Sequence, residues 1–217
     1  MAWGYYYLST LISSFDELPE IYKQAEAMGT NFFFLSDYWE GDVSGFPTHY
    51  WNKGTYLPRA DLGGEKALIR GIKSIHDKGG KVIIYVEPFI IYIYSKVGMK
   101  NGKKWAAYLE DGKSLESYEK NYSMLASCTE RQDYVAEISK KLVNRYDVDG
   151  IFLDSYGYQF SLKVYDFQQK LYSPMEWNRG VYELTDKVRT AVTEIKPDVV
   201  ILWNLQEADS NFMQMAA

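Results

Sequence analysis

One cysteine, two histidines and six prolines are all that the 217 residues contain of these types. The single cysteine, Cys128, excludes a disulfide within the chain and leaves the compartment open. His49 and His76 lie far apart, and without a Cys/His cluster a zinc site is not expected. His76 falls inside a helical pattern and is expected on the surface. Basic residues are also in deficit: 24 Lys and Arg face 29 Asp and Glu, a net charge of -5. No basic patch offsets that balance, which argues against nucleic acid as partner. Long apolar runs are missing too. The longest, 82–94, is broken by Glu87 and Pro88 and falls short of the roughly 20 residues of a membrane helix. No basic region followed by an apolar run opens the chain, so neither a signal peptide nor a membrane partner is expected. The compartment stays unknown, cytoplasmic only by default.

Aromatic residues, by contrast, are abundant. They make up 17% of the chain, and 20 of them are tyrosines. Tyr and Trp combine a flat apolar face with a polar edge, which suits sugars as ligands; most of them will simply pave core and surface. The length fits one domain, taken as residues 1–217, with a sizeable core.

Apolar periodicity alternates between two forms along the chain. Strands are expected at 3–8, 31–35, 81–86, 151–153 and 199–203, each a short apolar or aromatic run. Between them, helices are expected at about 15–28, from about 61 to Gly79-Gly80, at 131–146 and at 176–195. For the third helix the buried face is read as Tyr134, Ile138, Leu142 and Val143, and for the fourth as Val181, Leu184, Val188, Val192 and Ile195. Stretches 40–62 and 95–130 read as long irregular loops rich in turn residues. This alternation implies parallel strands with right-handed crossovers. The fold class is therefore α/β of the (β/α)8 TIM-barrel type, incomplete, with five strands and four helices and an end after strand five. An open five-stranded sheet is the other possibility, since a complete barrel takes about 250 residues. Unpaired edges invite association, so a missing C-terminal barrel portion or self-association is expected.

Carboxylates recur where the strands end. Strand two ends at Asp37, strand three at Glu87, strand four at Asp154, and strand five is followed by Glu207 and Asp209. Strands about 4.8 Å apart bring such groups to one mouth, at the end where α/β folds bind ligands. Crowded carboxylates push one another's pKa values apart, which is how one acid stays protonated beside an ionised partner. Paired carboxylates perform glycoside hydrolysis. The same array suits a divalent cation, or merely a set of turn-capping residues. Tyr38, Trp39, Phe89, Tyr156, Tyr158 and Trp203 lie near the same ends, as stacking surfaces for sugar rings or as loop packing.

Lys81-Val82-Ile83-Ile84-Tyr85-Val86-Glu87-Pro88 resembles the Gly-Leu-Trp-Phe-Glu-Pro segment of melibiase-type α-galactosidases. The helix and strand from Tyr134 to Asp154 resemble the segment carrying their nucleophile, and 180–199 resembles their fourth helix and fifth strand. The likeness spans about residues 30 to 205. It implies a retaining α-glycosidase on a (β/α)8 barrel, with Asp154 as nucleophile and Asp37 and Glu87 matching positions that bind the sugar. Two departures stand out. Phe152-Leu153 replaces the usual Lys-Trp pair, and Asn204-Leu205-Gln206-Glu207 replaces the cysteine and glycine-rich stretch after strand five. The clan's acid/base lies on strand six, beyond the five strands seen here; Glu207 takes that place by analogy with the α-amylase-like barrels.

The leading expectation is thus a glycoside hydrolase with Asp154 and Glu207 catalytic. Asp37, Trp39, Glu87, Tyr156, Trp203 and Asn204 would bind a carbohydrate substrate, without cofactor or metal. A carbohydrate-binding partial barrel without catalysis is the alternative, and a metal-assisted enzyme on the same fold the third.

Overall fold

A computed structural model describes residues 4–8, 12–40, 54–115, 120–155 and 163–203. Five strands form one parallel sheet: β1 (Gly4–Leu8), β2 (Phe32–Ser36), β3 (Lys81–Val86), β4 (Gly150–Leu153) and β5 (Val200–Trp203). Their order in space is their order in sequence, β1-β2-β3-β4-β5. A doubly wound sheet reverses direction at a switch point; this one does not. Right-handed crossovers that all step the same way carry every helix to one face.

Side-chain alternation separates the two faces. Phe33, Leu35, Val82, Ile84, Val86, Ile151 and Leu153 are at most 1% exposed. They point to the helices; the Tyr22 ring of the first helix meets Phe33 edge-on at 6.4 Å. Register pairs Phe34 with Ile83, Tyr85 with Phe152, and Phe152 with Leu202 on the opposite face. There the rings of Phe34 and Phe152 meet at 4.5 Å. Exposure on this face rises toward the β5 edge, to 41% at Leu202.

The helices are α1 (Leu18–Ala27), α2 (Gly64–His76), α3 (Thr129–Tyr146) and α4 (Pro174–Thr193). A 3-10 turn at Phe15–Glu17, capped by the Ser14 hydroxyl, leads into α1. α4 starts two residues before the helix expected at 176. Ser173 and Glu176 form a capping box there, with Pro174 at the first helical position. Its stripe Val181, Leu184, Val188 and Val192 is buried, whereas Ile195 lies past the helix end and is 38% exposed.

The face of α3 differs from the periodic reading. Arg131, Gln132, Val135, Ala136, Ser139, Leu142, Val143 and Tyr146 are buried, while Tyr134 and Ile138 are only half-buried. The polar pair turns inward because it serves backbone carbonyls. Arg131 donates to the carbonyls of Glu87 and Pro88, both at 3.0 Å, and Gln132 Nε2 to those of Ala126 and Gly180 at 2.9 and 3.1 Å. Apolar periodicity carries no signal for such contacts.

Both long loops contain structure that sequence pattern missed. Trp39–Glu40 pairs antiparallel with Leu57–Pro58, and Ile90–Tyr92 with Asn121–Ser123. Gly98–Trp105 is helical, and Ile91, Val97, Trp105, Ala106, Tyr108 and Met124 form a second small core. A ribbon of Val164–Tyr165 with Leu171–Tyr172 joins it through paired backbone bonds between Tyr108 and Tyr165. Two- and three-residue ladders are too short to show a period. Among the described residues no helix is long and apolar enough to cross a membrane.

His76 is not a free surface side chain. Its Nε2 sits 2.8 Å from Asp149 Oδ2, at the start of β4. Asp149 also accepts the Val82 N–H at 2.9 Å and the Lys196 ammonium at 2.9 Å. One carboxylate thus ties the end of α2, the starts of β3 and β4, and the segment after α4. Burial works against the charge, but the bonds from His76, Lys196 and Val82 outweigh it and lower the Asp149 pKa from 3.8 to about 2. A depressed carboxylate stabilises the fold above its unfolded pKa and loses that effect as pH falls through the folded value.

Two predictions follow from this packing. Asp149→Asn should cost roughly 2 kcal/mol in denaturant unfolding at pH 7. The gap from wild type should close as pH falls from about 4 toward 2. Gly180→Ala should also destabilise, by about 1–3 kcal/mol in the same measurement, because its Cβ would lie 2.5 Å from the Ser127 nitrogen and 2.6 Å from the Ala126 carbonyl carbon.

Candidate functional site at the strand ends

Three of the acids identified in the sequence gather at the C-terminal ends of β2, β3 and β4. Asp37 directly follows β2 in a left-handed conformation, φ 55°, and is buried. Arg59 Nη1 lies 3.5 Å from its Oδ2. The same guanidinium grips Asp61 with two bonds, Nε to Oδ1 at 3.1 Å and Nη2 to Oδ2 at 2.6 Å. The Arg59 N–H donates to the Tyr38 carbonyl, which fixes the return of the loop beside β2. Asp37 thus shares one guanidinium with Asp61, which holds it more closely.

Glu87 is fully enclosed, with 0% exposure. Its Oε1 accepts the Phe89 N–H at 2.9 Å, and its Oε2 accepts the Ser155 hydroxyl at 2.9 Å. The Tyr85 hydroxyl stands 3.4 Å from the same Oε2. Its backbone N–H donates to the Tyr56 hydroxyl at 2.7 Å, and its carbonyl accepts from Arg131. These bonds hold Glu87, which the sequence reads as a substrate contact, covered beneath the rim.

Asp154 is half-buried, the least enclosed of the three. It follows β4 on the side of Phe152, and its N–H continues the sheet by donating to the Val86 carbonyl at 3.0 Å. Its Oδ2 accepts the Tyr85 hydroxyl at 2.7 Å. Ser155, next in the chain, is left-handed at φ 51°. Tyr56, at φ 56°, is the third such residue here. Non-glycine residues in this region cost free energy and persist where surroundings over-determine them.

Aromatic rings wall the same corner. Trp39 is fully buried and stacks on Tyr85 at 5.0 Å and 15°, and Tyr85 stacks in turn toward Phe152 at 6.2 Å and 25°. Tyr56 meets Trp39 edge-on at 5.5 Å, and the Tyr38 hydroxyl donates to the Tyr85 carbonyl. Burial, reinforced by the Glu87 and Asp154 carboxylates, pushes the Tyr85 phenol far above its ordinary pKa. Burial does the same for Tyr56, with Glu87 adding to it. Both phenols are therefore protonated at neutral pH.

Trp203 goes elsewhere. Its register partner is Leu153, on the helix-covered face, and it packs against the core there. The strand carries Leu202, not Trp203, to the Asp154 side. Tyr156, Asn204 and Glu207, with Tyr158 and Asp209, lie outside the described residues. Tyr85, Tyr56, Arg59, Arg131 and Ser155 belong to the site and were not singled out in the sequence. Tyr85 carried a usable signal: it is two residues before Glu87 and so shares its face of the strand.

Among the described residues no group of three His, Cys, Asp or Glu side chains is placed to hold a metal ion. Two surface grooves of about 500 and 510 Å³ lie between α2 and α3 and at the start of α3, and Asp154 lines neither.

The fold is shared with carbohydrate-active enzymes of known structure. The maltogenic α-amylase AmyB of Thermotoga neapolitana aligns with a TM-score of 0.70 at 15% identity, over 98% of this chain and 47% of its own. A Paenibacillus cycloisomaltooligosaccharide glucanotransferase aligns at 0.69 and 14%, over 94% and 30%. The α-galactosidase of Lactobacillus brevis aligns at 0.65 and 13%, over 94% and 27%. This chain spans less than half the length of each, and at such identities the likeness is one of fold. No curated protein matches the sequence. The model of the family described as a domain of unknown function, DUF6259, matches residues 6–213, and the chain belongs to that family.

Proposed function

We propose that the chain forms a single partial (β/α)8 barrel and is the nucleophile-bearing part of a retaining glycoside hydrolase acting on α-linked sugars. The observation that carries this reading is the Asp154 carboxylate, held by a phenol at the C-terminal end of the fourth of five sequentially ordered parallel strands. The sequential order supports a barrel over a doubly wound sheet. The named activities of enzymes with this fold, α-galactosidase and α-amylase, support the substrate class.

In this mechanism an Asp154 oxygen attacks the anomeric carbon. The bond to the leaving oxygen breaks as a second acid protonates that oxygen, and a glycosyl ester forms on Asp154. The second acid, now a base, takes a proton from water, which cleaves the ester and restores both groups. Glu207 is our candidate for that acid/base; the two carboxyl groups would stand about 5–5.5 Å apart. Tyr156 and Asn204 are candidate sugar contacts, and completion of the barrel by further β/α units, or by self-association, would cover the exposed face near Leu202. Asp37 and Glu87 support the rim through Arg59, Ser155 and Tyr85.

A second reading, carbohydrate binding without catalysis, draws on the enclosure of Asp37 and Glu87, which leaves Asp154 the most open of the three described rim acids.

A panel of chromogenic α- and β-glycosides separates the two. Hydrolysis of an α-glycoside with retained anomeric configuration is expected, and Asp154→Asn should lower kcat by about 10³-fold or more while the protein stays folded. Sugar binding by calorimetry without product, unchanged in Asp154→Ala, would select the second reading.

A further inference from the structure

We infer that Tyr85 is the positioning residue for the Asp154 carboxylate: its phenol holds Oδ2 and so sets the orientation of the whole group. This rests on the reading of Asp154 as nucleophile. The geometry is specific. The Tyr85 ring is clamped between Trp39 on one side and Phe152 on the other, so its hydroxyl has one place to be. From there it reaches Asp154 Oδ2 at 2.7 Å and Glu87 Oε2 only at 3.4 Å.

A phenol has one proton to give. Glu87 Oε2 already takes the Ser155 hydroxyl at 2.9 Å, and Oε1 the Phe89 N–H. The shorter contact directs the Tyr85 proton to Asp154. Glu87 contributes a second constraint: by holding Ser155 it fixes the left-handed backbone directly after Asp154. Rotation of the carboxylate about its side-chain torsion would break a charge-assisted hydrogen bond in a low-dielectric corner, and that bond is of the strong class. A nucleophile held in one orientation needs no reordering before attack. Tyr85 itself touches no reacting atom in this scheme.

Tyr85→Phe removes the hydroxyl and keeps the stacked ring. In the full chain, on whichever chromogenic glycoside wild type hydrolyses, kcat should fall about 10- to 100-fold. KM should stay within about twofold, because orientation of the nucleophile acts on the chemical step rather than on substrate binding. A second measurement needs no turnover. By triple-resonance NMR the buried Tyr85 hydroxyl proton should lie far downfield in wild type and move upfield in Asp154→Asn, where the acceptor loses its charge. A folded Tyr85→Phe protein with wild-type kcat overturns the inference, as does a hydroxyl resonance indifferent to Asp154→Asn. If wild type hydrolyses nothing while the resonance still responds, the glycosidase reading falls and the clamp stands.

Discussion

The pairing of β3 with β4 in one register is the constraint on which the rest of the molecule depends. Tyr85 lies opposite Phe152. With that register, Tyr85, Glu87, Phe152 and Asp154 share a face, and the phenol lands on the Asp154 carboxylate. A slip of β4 by one residue would send Phe152 and Asp154 to the helix side, away from Tyr85 and Glu87, and expose Ile151 and Leu153 instead. Full burial of the helix-facing side chains is what makes that slip costly. The core thus fixes the register, and the register assembles the site.

β4 is bracketed by two aspartates with opposite tasks. Asp149, at its start, is satisfied by His76, Lys196 and the Val82 N–H, and the pull of these partners on its pKa is a stabilising force. Asp154, at its end, accepts the Tyr85 hydroxyl and remains half-buried. Asp37, Tyr56 and Ser155, left-handed without being glycine, lie at the Asp154 end, and Asp147, also left-handed, lies beside Asp149 at the other.

Much of the architecture was legible in the sequence. Strand β3 coincides with its apolar run, and the other four strands and the helices lie within a few residues of their periodic segments. Long periodic segments carry their own evidence. The alignment of Asp37, Glu87 and Asp154 at strand ends was legible for the same reason. Their states were not. Glu87 and Trp39 read as ligand contacts because a carboxylate or indole at a strand end looks the same whether open or covered. Only the placement of Tyr56, Tyr85 and Ser155 shows them enclosed. Trp203 misled through parity, since one residue decides which face a strand side chain takes. Arg131 and Gln132 escaped because they serve backbone carbonyls, those of Glu87, Pro88 and Gly180 being distant in sequence.

The central claim is that Asp154 is the atom-bearing centre of the chemistry, and labelling tests it most directly. An activated fluoro-glycoside, which forms the glycosyl ester but slows its hydrolysis, is incubated with the full chain and the digest read by mass spectrometry. The account predicts one added sugar, on the peptide containing Asp154. A stable adduct on any other carboxylate, or hydrolysis of the parent glycoside with no adduct at Asp154, would contradict it.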